Sequence, residues 1–440
     1  IAKVLLQKGY SISGSDLNFS DDLARLQNDG AKVFHGHAKE NIKGSDLLVV
    51  SSAIDKDNPE IIQAQEDQIT IIPRAEMLGS IMIGYESIAV AGSHGKTTTT
   101  SMVAKIFSEA NLSPTYVVGG KVLSTDENSD LGKGKYLVAE ADESDGTFIH
   151  LQPDVAIITN IDDDHLSHYN NIFENLLDSF VTFLENIPFW GYMVINGDDK
   201  DVLKVSKRIS RKQVTFGETR SCNYQISDIR SANGTQSFRI LDTRKDRFYN
   251  FLLNIPGKHN VFNAAGSIAV ALEESIEIQI IQKAISEFSG VGRRYEKHAI
   301  NVSSKDIILI DDYGHHPIEI DANLSAIKEE FSEKKVCMIF QPHRYTRTEQ
   351  LFDDFVRVLA GVESLILLDI YEASEKPIKG INSKAIAQKI IKQGHSDVIH
   401  ITDHNKINQI LNSKKDHIDI LVTQGAGSIS KVCENIIKNV

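Results

Sequence analysis

The sequence predicts an α/β protein of three domains, built on parallel sheets. Three observations predict it. Short Ile- and Val-rich runs alternate with polar, helix-patterned stretches along the chain. Many of these runs end in a turn or a charged residue, as strands do when their carboxyl ends carry chemistry. The length, 440 residues, suits about three domains.

The elements follow in order. To about residue 85, Ser11–Ser15 leads to Asp16, Leu47–Val50 leads to Ser51 and Ser52, and Ile69–Ile72 leads to Pro73. These runs predict strands of a parallel sheet with helices on both faces. A second block opens with a buried strand, Ile88–Ala91, a loop at Gly92–Lys96 and a helix at Thr97–Ala110. That helix carries Met102, Val103, Ile106, Phe107 and Ala110 on one face. Strands Tyr136–Ala139 and Val155–Thr159 come next. Tyr224–Ile229, Ser237–Leu241 and Phe248–Leu253 read as antiparallel strands between polar turns, before a helix at Asn260–Glu273. Val291–Arg294 is the expected linker. Beyond it, Ile307–Ile310, Val336–Phe340, Leu365–Ile370, Val398–Thr402 and Ile418–Thr423 are expected strands of a third sheet. The expected domains are 1–85, 86–293 and 294–440.

Composition narrows the function. Apolar residues make up 41% and charged residues 24%, an ordinary globular balance that excludes wholesale disorder. Lys and Arg number 47 against 60 Asp and Glu, a net charge of −13. An acidic chain without a basic block is a poor partner for nucleic acid or anionic lipid. No run of 18 apolar residues occurs, so no membrane span is expected. The three cysteines, Cys222, Cys337 and Cys433, form neither a disulfide framework nor a zinc knuckle, and a reducing cytoplasm is the expected compartment.

Ala91–Thr100 reads AGSHGKTTTT between a strand and a helix. Such a loop is an anion site. Glycines let backbone N–H groups turn toward a phosphate, the helix N-terminus adds positive potential, Lys96 adds a charge and Thr97 offers a hydroxyl to magnesium. The match to G-x-x-x-x-G-K-[ST] is partial, because Val90 stands where the first glycine belongs. A plain helix-capping glycine turn is the alternative. The next strands end in Glu140, with Asp142, Glu143 and Asp145 beyond it, and in Asn160, with Asp162, Asp163, Asp164 and His165 beyond it. So many carboxylates beside a phosphate need a cation. Magnesium held by Glu140 and His165 fits that need, and solvated loop charge is the bland alternative. His259 and Asn263, four apart on a helix, can read an adenine edge or serve as core and capping groups. Arg293–Arg294 suits either a phosphate or a solvated linker. In the third block, Asp311–Pro317 (DDYGHHP) and Gln341–Arg347 (QPHRYTR) follow strands and precede helices. Their arginines and histidines suit the carboxylate of a small zwitterion such as an amino acid.

Together, AGSHGKTTTT, EADESD (Glu140–Asp145), TNIDDDH (Thr159–His165), GKHNVFNA (Gly257–Ala264), GRRYE (Gly292–Glu296), DDYGHHP and FQPHRYTRT (Phe340–Thr348) resemble the Mur ligase family, ATP-dependent amide-bond ligases of peptidoglycan precursor synthesis. The resemblance implies a Rossmann-like, truncated N-terminal UDP-binding domain, a central P-loop ATPase-type parallel sheet with a small antiparallel sheet, and a C-terminal Rossmann-like domain. It implies ATP and Mg2+ as cofactors, with UDP-N-acetylmuramate and L-alanine as substrates, in a cytoplasmic monomer or homodimer. Gly92, Ser93, His94, Gly95, Lys96, Thr97 and Thr98 are then the nucleotide loop, and Thr97, Glu140 and His165 the metal positions. His259 and Asn263 match adenine contacts, and Arg294 and Asp312 match a phosphate- or ribose-contacting pair. Tyr313, His315, His343, Arg344 and Arg347 match the amino-acid pocket. Lys96, Glu140, His165, Arg344 and Arg347 are the residues expected to act in catalysis. Asp16, Ser51 and Ser52 match the uridine-nucleotide region. The chain departs from the family in three places. It begins in the helix that follows the usual N-terminal glycine-rich loop, and Ser374 and Ser428 stand where glycine and aspartate are usual. A peptide-recycling ligase of the same family is the alternative enzyme, and a nucleotide-binding module without catalysis the alternative from another class.

Overall fold

The structure, a computed structural model, describes the chain except Phe19, residues 124–126, His165, Ser374 and Val440. The chain divides into two compact units. One comprises Ile1–Ile229, Ser237–Leu253 and Asn260–Phe288, the other Arg230–Gln236, Asn254–His259 and Ser289–Val440.

In the first unit, the N-terminal strands form two parallel pairs. β1 (Ser13–Asp16) lies beside β2 (Lys32–His35), and β3 (Leu47–Val50) beside β4 (Thr70–Pro73). The sequence suggests one sheet here, but no strand among the described residues bridges the two pairs.

The large sheet comprises β5 (Glu86–Ala91), β6 (Thr115–Val122), β7 (Glu127–Asp130), β8 (Tyr136–Glu140), β9 (Val155–Ile158), β10 (Tyr192–Asn196), β11 (Lys212–Gly217), β12 (Tyr224–Ala232), β13 (Thr235–Asp242) and β14 (Arg247–Leu253). Its order is β14-β13-β12-β11-β10-β9-β5-β8-β6-β7. The strands expected to make a separate antiparallel sheet instead extend this one, because Phe216 and Gly217 of β11 pair with Tyr224 and Gln225 of β12. β5 sits centrally, parallel to β8 on one side and β9 on the other. The chain leaves β5 toward β6 and later returns across it to β9. β5 is therefore a topological switch point, where a crevice opens at the strand ends.

The helix Phe173–Glu185 buries Leu176, Leu177, Phe180, Phe183 and Leu184 in the core beneath this sheet. Each such side chain contributes about 1.5–3 kcal/mol on burial. At the sheet's opposite, amino-terminal edge, three strand-opening tyrosines are tied to one helix end. Tyr136 and Tyr192 donate to Glu274 at 2.9 and 2.7 Å, and Tyr224 donates to Glu273 at 2.8 Å. Arg244 and Lys212 also bond Glu273, and these partners hold its carboxyl near 2 against the upward push of burial.

The second unit carries β15 (Glu296–Val302), β16 (Lys305–Asp312), β17 (Val336–Phe340), β18 (Ser364–Leu368), β19 (Val398–Ile401) and β20 (Ile420–Gln424), ordered β15-β16-β20-β17-β18-β19. β15 and β16 form a hairpin across Ser303 and Ser304, both at positive φ, as tight two-residue hairpin turns require. The remaining neighbours are parallel. β20 lies between β16 and β17, so the loops after those two strands flank one strand end.

Candidate active site

The phosphate loop leaves β5 and enters the helix Lys96–Glu109 through Gly95 at φ +81°. A Cβ on Gly95 would come within 2.3 Å of Asn263 Oδ1, and one on Gly92 within 2.2 Å of Thr159 Oγ1. The loop backbone is thus pressed against side chains on both flanks, which only glycine allows. Residues after β9 hold it from that side. Asn160 Oδ1 accepts from His94 N at 2.8 Å, and Thr159 Oγ1 donates to the His94 carbonyl at 2.7 Å. Ser93 Oγ accepts from Asp162 N at 2.8 Å, and His94 Nε2 lies 3.2 Å from Asp162 Oδ2.

Lys96 turns back over its own loop. Its ammonium bonds the Gly92 and Ser93 carbonyls at 2.7 and 3.2 Å and meets both Glu143 oxygens at 2.9 and 2.8 Å. Burial pulls Lys96 down, but the carboxylates of Glu143, Asp142 and Glu140 outweigh it and keep the group charged. Burial pushes Glu143 up to about 7 against the pull of Lys96, so Glu143 is the weaker member of the pair.

Thr97 Oγ1 donates to Glu140 at 3.0–3.1 Å, and Gly119 N donates to Glu140 Oε2 at 2.8 Å. A hydroxyl and a carboxylate side by side at a helix N-terminus are hard oxygen donors suited to Mg2+, which keeps several waters of its own. Among the described residues no group of three or more His, Cys, Asp and Glu could hold a metal. His165, the third expected metal position, lies outside the described residues. Thr98 is buried on the first turn of the helix.

On the helix Lys258–Glu273, the buried partner of Asn263 is Asn260, whose Oδ1 accepts from Asn263 Nδ2 at 3.1 Å. His259, paired with Asn263 in the sequence reading, is exposed. Glu143, Thr159 and Asn160 all stand in the quoted motifs but had no assigned role. Only their long-range bonds to the loop reveal one.

In the second unit, Gln424 at the end of β20 ties the two flanking loops. Its side-chain amide donates to Asp312 Oδ1 at 2.8 Å and to the Gly314 carbonyl at 2.7 Å, and its backbone carbonyl accepts from Gln341 N at 3.1 Å. Asp312 also accepts from Tyr295 N and Gly314 N. Burial raises its carboxyl, and Arg294 opposes that rise. The Arg294 guanidinium lies 3.5 Å from Glu319 and 5.1 Å over the Tyr313 ring.

From Tyr313 the aromatic rings run to His315, His343 and Tyr371 at centroid spacings of 5.5 Å, with Tyr371 stacked on His343. Arg347 is buried, with Nη1 3.5 Å from His343 Nδ1. Arg344 adopts φ +73°, a strained conformation for a side-chain-bearing residue of the kind that gathers at functional sites. Its N–H donates to the Tyr371 carbonyl at 2.8 Å, and its guanidinium lies 3.9 Å from Glu375. The structure thus gathers Tyr313, His315, His343, Arg344 and Arg347 as one cluster and adds Tyr371, which the sequence reading did not single out.

Asp16 ends β1 and Ser51–Ser52 follow β3, all exposed. Behind Asp16, Ser15 Oγ donates to Glu60 at 2.9 Å and lies 2.8 Å from His37 Nδ1, while Asn41 donates to Glu60 at 2.7 Å. No described helix is long and apolar enough to cross a membrane.

Comparison with known proteins gives the family. Sequence models described as Mur ligase family, catalytic domain, Mur ligase middle domain, and Mur ligase, glutamate ligase domain match residues 1–86, 90–271 and 293–427. A UDP-N-acetylmuramate–L-alanine ligase of Psychrobacter sp. (strain PRwf-1) is 43% identical over 441 residues, covering 100% of this chain and 92% of that protein. The crystal structure of UDP-N-acetylmuramate-alanine ligase MurC from Thermotoga maritima has a TM-score of 0.84 at 27% identity, covering 99% of this chain and 95% of that one. A murein peptide ligase from Psychrobacter arcticus shares the fold, with a TM-score of 0.74 at 20% identity over 100% of this chain and 96% of that one. The chain belongs to the Mur ligase family.

Proposed function

We propose that the chain is an ATP-dependent ligase that joins the carboxylate of UDP-N-acetylmuramate to the amine of L-alanine in cytoplasmic peptidoglycan precursor synthesis. Residues 1–85, 86–293 and 294–440 serve as its nucleotide-sugar, ATP and amino-acid domains. The observation that carries the reading is the Lys96 loop with the Thr97–Glu140 pair beside it at a sheet's switch point, an arrangement suited to a phosphate and Mg2+. The 43% identity to an alanine-adding ligase supports the choice of substrates.

The reaction has two displacements. A carboxylate oxygen attacks the terminal phosphorus of ATP and ADP leaves, giving an acyl phosphate. The alanine nitrogen then attacks the acyl carbon, phosphate leaves, and the amine gives up a proton. The protein's work is positioning and charge neutralisation. Lys96 and the loop Gly92–Thr98 hold the phosphates, and Thr97, Glu140 and His165 would hold Mg2+. When bound, the ion supplies positive charge where phosphate and carboxylate oxygens crowd together. Asn263 and His259 contact the adenine side, and Arg294 with Asp312 the ribose or phosphate. Arg344, Arg347 and His343 take the alanine carboxylate, with Tyr313 and His315 closing the pocket. Asp16, Ser51 and Ser52 contact the uridine nucleotide.

The test is a ligation assay with ATP, Mg2+ and UDP-N-acetylmuramate, offering L-alanine and an alanine-initiated tripeptide in separate reactions, read by mass spectrometry. The reading requires the alanyl product. Conjugation of the tripeptide alone would assign the recycling reaction instead.

A further inference from the structure

A lysine ammonium has three N–H donors. In this structure all three of Lys96's are engaged within the protein, by the Gly92 carbonyl, the Ser93 carbonyl and Glu143. A phosphate oxygen can bond Lys96 only in place of one of these acceptors. Two are backbone atoms of the loop itself. The third is an anion, which repels a phosphate brought to the same ammonium. The pair is enclosed, with side-chain exposures of 12% for Lys96 and 1% for Glu143.

We propose that Glu143 is the exchange partner of Lys96: its carboxylate yields the ammonium to the nucleotide's phosphate, and its charge sets how tightly nucleotide binds. This rests on the ligase reading of the loop and adds a residue to it.

The exchange has a proton consequence. Among the described residues, the groups facing Glu143 are Lys96 from the helix, Asp142 from its own loop, and Tyr169, whose hydroxyl donates to the Glu143 carbonyl. Once Lys96 turns to a phosphate, the carboxyl is left beside Asp142 in a buried place, where the charged form is strongly disfavoured. It therefore takes up a proton. Burial already holds it near 7 with Lys96 in contact, so the uptake is largest just above neutrality.

The experiment is calorimetric titration of the full chain with ADP and with a non-hydrolysable ATP analogue, in Mg2+ and without amine. It is run at pH 8 in buffers of different ionisation heat, on wild type, Glu143→Gln and Glu143→Asp. Wild type is expected to take up close to one proton per nucleotide. Glu143→Gln is expected to bind about tenfold more tightly, since a like charge is gone, and to take up no proton from this position. Glu143→Asp keeps the charge and is expected to keep the uptake. Weaker or unchanged binding by Glu143→Gln, or proton uptake equal to wild type, overturns the proposal. Failure of wild type to bind nucleotide at all overturns the ligase reading itself.

Discussion

Replacing Lys96 by Ala separates what the lysine does for the fold from what it does for the reaction. The substitution strands Glu143 in a buried site, and removing one partner of a buried pair typically costs about 3–5 kcal/mol. The carboxyl escapes by taking a proton. Holding a carboxyl neutral costs about 1.4 kcal/mol for each pH unit above its ordinary value. From the ordinary value of 4.5, that amounts to about 5 kcal/mol at pH 8 and about 2 kcal/mol at pH 6. The sign follows from the direction of the shift. The folded-state pKa is raised, so stability is intact at low pH and is lost as pH rises toward the folded value. Lys96→Ala should therefore be less stable than Lys96→Ala/Glu143→Gln by up to about 5 kcal/mol at pH 8, and the gap should shrink by roughly half or more at pH 6. Urea unfolding midpoints at the two pH values measure this directly. Both variants should lose turnover by about 10²-fold or more, because neither restores the cation. Equal stability of the two at both pH values, or near-normal turnover in either, would refute the reasoning.

Other expectations follow from single contacts. Gly95→Ala forces a left-handed backbone on alanine and drives its Cβ into Asn263, which lies 2.3 Å from that position. It should destabilise by about 2–3 kcal/mol and weaken nucleotide binding, read by denaturant unfolding and calorimetry. Arg347→Lys replaces a rigid two-pronged donor with a point charge in a buried position. It should raise the KM for alanine about tenfold with a smaller change in kcat. Tyr192→Phe removes one of two phenol donors to Glu274 and should cost about 1 kcal/mol in thermal unfolding while leaving turnover unchanged.

The parts of the fold that carry chemistry were the most legible. The strand before the phosphate loop, the strands ending in Glu140 and Ile158, and Val336–Phe340 are apolar runs cut off by a turn or a polar residue, which is a local signal. β6 was missed because its TYVVGGKV segment carries two glycines, poor strand formers, although Gly119 N is the donor to Glu140. β11, KQVTFG, was missed because its apolar residues are few, and its place is fixed by pairing with β10. Three of the four N-terminal strands were legible, but β2, KVFH, was missed for its short apolar run, and the pairing was not legible, because pairing depends on partners and not on the run itself.

The site divides in the same way. Lys96, Thr97 and Glu140 announce themselves by motif. Glu143 stands in the motif too, but its tie to Lys96 spans 47 positions. His259 and Asn260 are neighbours about 100° apart around the helix; the structure leaves His259 exposed and buries Asn260 against Asn263, a difference that sequence spacing does not carry.

The central claim is that the sugar carboxylate is activated by phosphorylation before the amine attacks. UDP-N-acetylmuramate labelled with 18O in that carboxylate, turned over with ATP and L-alanine, tests it through the phosphorus resonance of the released phosphate. One labelled oxygen in each phosphate, matched one-to-one with amide formed, is the predicted result. Phosphate released without label while amide accumulates would contradict it.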